Sequence, residues 1–545
     1  MRPSLLISGV LVTGLAVVGL TTRMTAGHPH TDFGTFVQDM LDDHSEQLFG
    51  IEHTLSESAL GPYDGPDNLQ AIQVAKGLHV SLVSSSVASA ADQIALWPDD
   101  DNPKFLFVCD EETNDPAVQR VDLSKPAGSN ATTIVKGLTS CDPVRRTPWG
   151  TIVVGEEAST TINGSSNATG GLYEILDPVG ITTAITVTNR ATGDNTDPIH
   201  LAKRKAVGTV AFESLAIKHD GTMIYGDELA PGAVSKGSPG GAIYKFIPSI
   251  PFQGGAPISA LAQSPFAAGS IFGLRVAAQG SSNWGQGAET GNGAWVAVDP
   301  HATGVTDANG NILLRVAQTS LQFTGYYRPE DMDIDPIALE DGIFRVCWAN
   351  TGRMSHTDSS VVENAGVKAE IVCLVENPPS TFAPNPVTGT IPTVNRFFAG
   401  SEERGMFDNV AFQPHTGNLV VLEDNSVDVV KQLNPLVTEL RGNDLWICLP
   451  DGEDDDVQTD GCVRFASIRD TSAEPTGFIF TGSGETAYVN IQHRAANDAL
   501  GKGDHGALVK ISGFKVKQKH HHHHNGHVWW DDDDDDWNWL WNWKK

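Results

Sequence analysis

The strongest constraint in this chain of 545 residues is a carboxylate that keeps returning at the head of a strand-like segment. Glu213 stands in Phe212-Glu213-Ser214-Leu215-Ala216, Glu330 in Arg328-Pro329-Glu330-Asp331-Met332, and Glu474 in Ala473-Glu474-Pro475-Thr476-Gly477. Each segment continues as a short apolar alternation, a turn and a second apolar strand. The second strands end in ligand-type side chains: Gly226-Asp227-Glu228, Ala349-Asn350 and Asn490-Ile491-Gln492-His493. Such a repeat aims its carboxylates at a shared centre. Brought together, they repel one another unless a metal holds them.

Six segments share the pattern of strand, Asp/Gly/Pro turn and strand, beginning near Phe105, Thr147, Phe212, Arg328, Phe407 and Ala473. The clearest pair is Asn409 to Asp424, where apolar alternation flanks a Pro-His-Thr-Gly-Asn turn. Most spacings are roughly 40 to 80 residues, the range of elaborated propeller blades. The longer gap between Glu213 and Glu330 holds a Gly/Ser/Ala-rich stretch, Ser235 to Ala288, read as a loop insertion. The pattern predicts an all-β fold: a six-bladed β-propeller with a short N-terminal helical segment and loop insertions. A pair of β-sandwiches also supplies many short strands, but does not converge strand ends on one axis.

The composition agrees with strands and turns, with 55 Gly and 30 Pro. The net charge of −31, from 67 acidic against 36 basic residues, argues against nucleic acid as a partner. Arg2, the apolar run Leu5 to Leu20 and small residues to Ala26 read as an export signal. The expected organisation is a signal peptide at 1–26, a helical or extended segment at 27–75, the propeller at 76–514 and a His/Asp/Trp tail at 515–545. The helical pattern uses Phe33, Phe36, Val37, Met40, Leu41 and Leu48. The tail, with His520 to His524, Asp531 to Asp536 and half of the 12 tryptophans, reads as a tag-like or artefactual addition. A secreted or periplasmic protein follows, with no stable membrane span once the signal is removed. Cys347 with Cys373, and Cys448 with Cys462, are candidate disulfides in that setting.

Several strings resemble the PhoX-type alkaline phosphatases, a family of secreted β-propeller enzymes. They are Cys141 with Thr147-Pro148-Trp149-Gly150-Thr151 and Glu156-Glu157; Phe212-Glu213; Arg328-Pro329-Glu330; Phe407-Asp408-Asn409; and Thr476-Gly477 through Val489-Asn490-Ile491-Gln492-His493. The resemblance implies a phosphatase acting on small phosphate monoesters at a cluster of ferric iron and calcium. It implies Cys141 as a thiolate ligand to iron, with Glu213, Glu330 and one of Glu156 or Glu157 as carboxylate ligands. Asp408, Asn409, Glu474 and Asn490 are implied for the calcium shell, and Arg328 for the substrate phosphate. Iron accepts a thiolate beside carboxylates, whereas calcium takes oxygen only. The chain departs from the family in lacking a twin arginine, in carrying Arg145 and Arg146 where the family is small and glycine-rich, and in its acidic loop from Asp451 to Asp460.

Alternatives stand beside each assignment. Cys141 pairs with Cys109 in one, and Arg328 pairs with a blade-edge acid in another. The glutamates are individually solvated strand ends in a third. At the level of function, the rivals are a calcium-dependent lactonase-like or diester hydrolase, which needs no thiolate, and a non-catalytic propeller stiffened by calcium. The oligomeric state is left open.

Overall fold

The computed structural model describes residues 35–516 except 62, 64–66, 112–114, 163–164, 230–239, 277–289, 353–368, 382, 401–403, 425–441, 452–456, 471–472 and 494–505, and the backbone of 520–524 and 527–531. The export signal, Phe33, most of the tail and the middle of the acidic loop lie outside the described residues.

Six sheets follow one another along the chain, antiparallel except where Ile185–Asn189 pairs in parallel with Ala131–Lys136 in the first. Their innermost strands are Ala91–Trp97, Cys141–Arg146, Phe212–Ile217, Pro329–Ile334, Phe407–Phe412 and Glu474–Phe480. These define the first to sixth blades of a β-propeller. The second strands are Phe105–Asp110, Thr151–Glu156, Met223–Asp227, Arg345–Asn350, Leu419–Glu423 and Thr486–Gln492. Thus the segments at Phe105 and Thr147 do not open blades, as the sequence pattern suggested. They supply second strands, and the innermost strands lie upstream, at Ala91 and Cys141.

The interior is a ring of six apolar clusters, one between each pair of neighbouring blades. Phe107 and Val118 of the first blade meet Val144 and Val154 of the second. Leu172 meets Phe212 and Tyr225, Ile243 meets Val346 and Val372, and Ile371 meets Val421. Leu445 packs with Val489, and Tyr488 with Ile94 and Leu106. A blade in the ring has a neighbour on each face, so its strands bury both. Leu419–Glu423 is buried throughout for this reason, and reads as a continuous apolar run.

The ring closes by strand exchange between the ends of the domain. His79–Ser84 forms the outer strand of the sixth blade, against Ala507–Ser512. Ile72–Val74 does the same for the fifth, against Cys462–Ile468. Closure removes open edges at the seam. The fifth blade therefore draws on residues before position 76. The helices Thr35–Asp43 and Ser45–Leu48 lean on this seam through Leu41 and Leu48. The stretch read as an insertion, Ser235 to Ala288, instead contains two strands of the third blade, Gly241–Pro248 and Gly269–Arg275. Cys347–Cys373 and Cys448–Cys462 are disulfides between directly opposed residues of neighbouring strands.

The Thr147 to Thr151 string turns out to be structural. It forms the turn of the second blade's inner hairpin, with Gly150 at φ 78°. Glu174, fully buried, accepts from Trp149 Nε1 (2.7 Å), Thr151 Oγ1 (2.6 Å), Arg204 Nε (2.6 Å) and Ser264 Oγ (2.7 Å). The charge is admissible because every lone pair has a donor and Arg204 balances it. Glu174→Ala strands a buried guanidinium. It is expected to cost about 3–5 kcal/mol in urea unfolding, with an unchanged dependence on denaturant.

Candidate metal centre

Two positions build the centre, the first in every blade and the second in four of the six. The first lies near the start of the innermost strand: Asp92, Asp142, Glu213, Glu330, Asp408 and Glu474. In five blades this residue lies inside a break of register, between Ala91 and Ile94, Cys141 and Val144, Phe212 and Leu215, Pro329 and Met332, and Phe407 and Val410; in the sixth the break, between Thr476 and Ile479, comes just beyond Glu474. A bulge bends the strand and re-aims a side chain. Repeated in every blade, it explains how residues from flat ladders come to share a centre.

The second position follows the end of the second strand: Glu111, Glu157, Glu228 and Asp424. Each backbone N–H donates to the carbonyl just before the innermost strand, to Ala90 (3.0 Å), Ser140 (2.7 Å), Ala211 (2.9 Å) and Met406 (2.6 Å) respectively. Ser140 and Met406 hold positive φ of 45° and 52°, which lets the chain turn tightly there.

Acidic doublets at these strand ends split their duties. The first residue stays within its blade. Glu156 accepts from the backbone of Thr139 and Gly171 and pairs with Arg190. Asp227 pairs with Arg315, and Glu423 accepts from Trp446 Nε1 and Asp444 N. Glu156, expected as one of two alternative ligands, is thus turned away and neutralised, and Glu157 is the member facing the centre.

Glu111, Asp142, Glu157 and Glu213 each offer a carboxylate oxygen, all within 4.8 Å of one another. Glu228 adjoins Glu157, Glu330 adjoins Glu213, and Asp92, Asp408, Asp424 and Glu474 continue the cluster. One buried oxygen on each of Asp92, Asp142, Asn490 and Gln492 has no hydrogen-bond partner among the described residues. Asn409 is more committed: its Oδ1 accepts from Gly477 N and its Nδ2 donates to Asp408. Asn490 donates to the carbonyl of Asp92.

Burial, followed by the charge of their neighbours, pushes Asp92, Glu213 and Glu474 far above the carboxylate range. Burial likewise pushes up Asp142, Glu157 and Glu330. Burial also raises Asp424 to about 7, against the pull of Arg328. Arg328 sits at φ 51° and pairs with Glu228 (Nε, 2.5 Å) and Glu330 (2.8 Å). The acid-pairing alternative therefore describes its contacts, while its side chain keeps 29% exposure.

Cys141 does not present a thiolate. It is bonded to Cys109, with the Cα atoms 5.1 Å apart. A sulfur in a disulfide carries no negative charge for a metal, so the expected iron ligand is corrected to an inter-blade link. Asp142 and Glu111, missed in the sequence, follow these cysteines closely. The doublets Asp110-Glu111, Glu156-Glu157, Asp227-Glu228 and Glu423-Asp424 were the signal that could have found Glu111, Glu228 and Asp424.

Fold and site define a propeller with a group of converging carboxylates that could hold a metal ion. The family model for alkaline phosphatase PhoX matches residues 112–495, and the chain belongs to that family of phosphomonoesterases. Among solved structures, Pseudomonas fluorescens PhoX in complex with vanadate, a transition state analogue, aligns with a TM-score of 0.55 at 14% identity, covering 84% of this chain and 98% of that one. The PQQ-bound aldose sugar dehydrogenase from Streptomyces coelicolor aligns at 0.36 and 10% identity, covering 81% and 100%. No curated protein matches. Among the described residues, no helix is long and apolar enough to cross a membrane.

These raised carboxylates fix a pH dependence for the cation-free protein. Unfolded, they lose protons near their ordinary values of 3.8 and 4.5; folded, they keep them, Asp424 until about 7. The native state then binds more protons, and stability falls as pH rises. In a chelator, the melting temperature is expected to drop steadily from about pH 4 to beyond about pH 7, and calcium to restore it most at the alkaline end. A flat or rising profile would count against the buried cluster.

Proposed function

We propose that this chain is an exported, metal-dependent phosphomonoesterase. Its metal is held by Glu111, Asp142, Glu157 and Glu213, with Glu330, Asp408, Glu474 and Asn490 as neighbouring oxygen donors. The observation that carries this reading is the convergence of four buried or half-buried carboxylates, each with an oxygen within 4.8 Å of the others. Among the described residues, the guanidinium beside them is that of Arg328, one positive charge against several carboxylates.

The donor set fits hard cations. Calcium takes oxygen ligands only, and the unpartnered oxygens of Asp142 and Asn490 are of that kind. Ferric iron, implied by the family resemblance, also accepts carboxylates, but its thiolate ligand does not fit a disulfide-bonded Cys141. Bound cations would polarise a phosphoryl oxygen and neutralise developing charge. The chain itself supplies position and a fixed charge. Arg328 is held at the rim by Glu228 and Glu330, where a guanidinium is suited to two phosphate oxygens. Phosphoryl transfer asks chiefly for such placement and charge.

The disulfide favours one second reading, an oxygen-only calcium centre serving a lactonase-like or diester hydrolase. Metal analysis of protein purified without added metal, a thiol count on the denatured chain and turnover of a phosphate monoester separate the two. The phosphatase reading expects turnover, with bound metal reduced in Glu213→Gln. Absence of monoester turnover in metal-replete protein, with lactone or diester hydrolysis present, would favour the second. Arg328→Ala is expected to lower kcat/KM by roughly 10²–10³ while bound metal is retained, with partial recovery in Arg328→Lys.

A further inference from the structure

Arg145 departs from the family pattern and lies on the innermost strand of the second blade, three residues beyond Asp142. Its guanidinium reaches other blades. Nη1 donates to Gln93 Oε1 of the first blade (2.5 Å) and to its neighbour's carbonyl at Val144 (3.0 Å). Nη2 donates to Asp331 Oδ1 of the fourth blade (2.6 Å) and to the carbonyl of Met332 (3.1 Å). Gln93 then passes the connection on: its Nε2 donates to the carbonyl of Glu213 in the third blade (2.6 Å). Asp331 extends it to the fifth, accepting from Val410 N (3.4 Å), and Asp333 accepts from Phe412 N (2.8 Å).

The residues touched are those of the bulges. Gln93 follows Asp92, Asp331 follows Glu330, and the carbonyl held by Gln93 is that of Glu213 itself. We propose that Arg145 is a positioning residue of the metal centre, tying the bulged main chains that carry Asp92, Glu213 and Glu330 through Gln93, Asp331 and Met332. This inference rests on reading the carboxylate cluster as a metal site. A bulge has lost part of its ladder, so its direction depends on what else holds it. A guanidinium suits this role because its donors lie in one rigid plane and span several acceptors at once. A lysine offers a single flexible point and cannot bridge Gln93 and Asp331 in the same way. Asp331 is buried and its carboxylate pairs with Arg145 at 2.6 Å, so the two residues depend on each other.

Removing Arg145 alone leaves Asp331 buried without its cation, so the informative variants remove the link without that charge. They are Arg145→Met with Asp331→Asn, and, separately, Gln93→Met, which leaves the ion pair intact. Calcium affinity is read by titration calorimetry on the full chain, alongside the chelated melting temperature and the kcat and KM for a phosphate monoester. Both variants are expected to bind calcium about 10–100-fold more weakly, the range seen when groups orienting metal ligands are lost. The metal-free melting temperature should change little in Gln93→Met, and Arg145→Lys should recover only part of the affinity. Undiminished calcium affinity in Gln93→Met would overturn the proposal, as would a lowered metal-free melting temperature with an unchanged calcium-induced rise. If the double variant does not fold, Gln93→Met decides alone. If the parent protein binds no calcium or other metal, the reading of the cluster itself fails, an outcome distinct from the others.

Discussion

The structure is organised around an electrostatic conflict. Carboxylates from all six blades are withdrawn from water and brought near one another, where burial and mutual repulsion both oppose their charge. Protonation or a multivalent cation can relieve it. At alkaline pH protonation becomes costly, and an oxygen-binding cation is the remaining route. The fold has to hold these groups in place against their own repulsion, and it does so with rigid material. Six apolar inter-blade clusters resist expansion, and strand exchange at Ile72–Val74 and His79–Ser84 prevents the ring from opening.

Within that ring, neighbouring residues divide structural from chemical duties. Glu156 and Asp227, at paired ladder positions opposite Cys141 and Phe212, are anchored by Arg190 and Arg315, while Glu157 and Glu228 lie one residue past the ladder and face inward. A one-residue difference reverses the direction of a side chain on an extended strand, so the doublet serves both sides without widening the site. The same economy applies to Thr147 to Thr151. The specificity of that string reflects its demand for a satisfied buried charge at Glu174, and none of its residues belongs to the metal-binding group.

The repeat was legible because a propeller imposes one environment six times. Recurrent carboxylates at Glu213, Glu330 and Glu474 disclosed the blades and the facing of the centre. Legibility failed where the chain departs from the regular pattern. The first innermost strand, Ala91–Trp97, hides its carboxylate as Asp92 behind an unremarkable Ala-Ala-Asp-Gln, and the segment at Phe105 was taken in its place. Asp142 was overlooked beside a cysteine that drew the chemical argument to itself. The choice between Glu156 and Glu157 needed ladder register, which a sequence of two identical residues does not contain. Arg145 was visible as a departure from the family, but its partners lie on two other blades at long sequence separation.

Cys141 shows how the same position carries different chemistry according to its neighbour. A free thiolate there would add a soft anionic ligand and favour iron. Bonded to Cys109, it instead joins the end of one blade's second strand to the beginning of the next blade's first, beside Glu111 and Asp142. The main-chain segments that carry two of the four converging carboxylates, Glu111 and Asp142, are then joined covalently, which opposes their separation by mutual repulsion. Such a bond persists in an oxidising compartment. The link also bears on selectivity: with sulfur withdrawn, the donors that remain are oxygens, and a cation held there would be selected by charge, size and the number of carboxylates brought to bear.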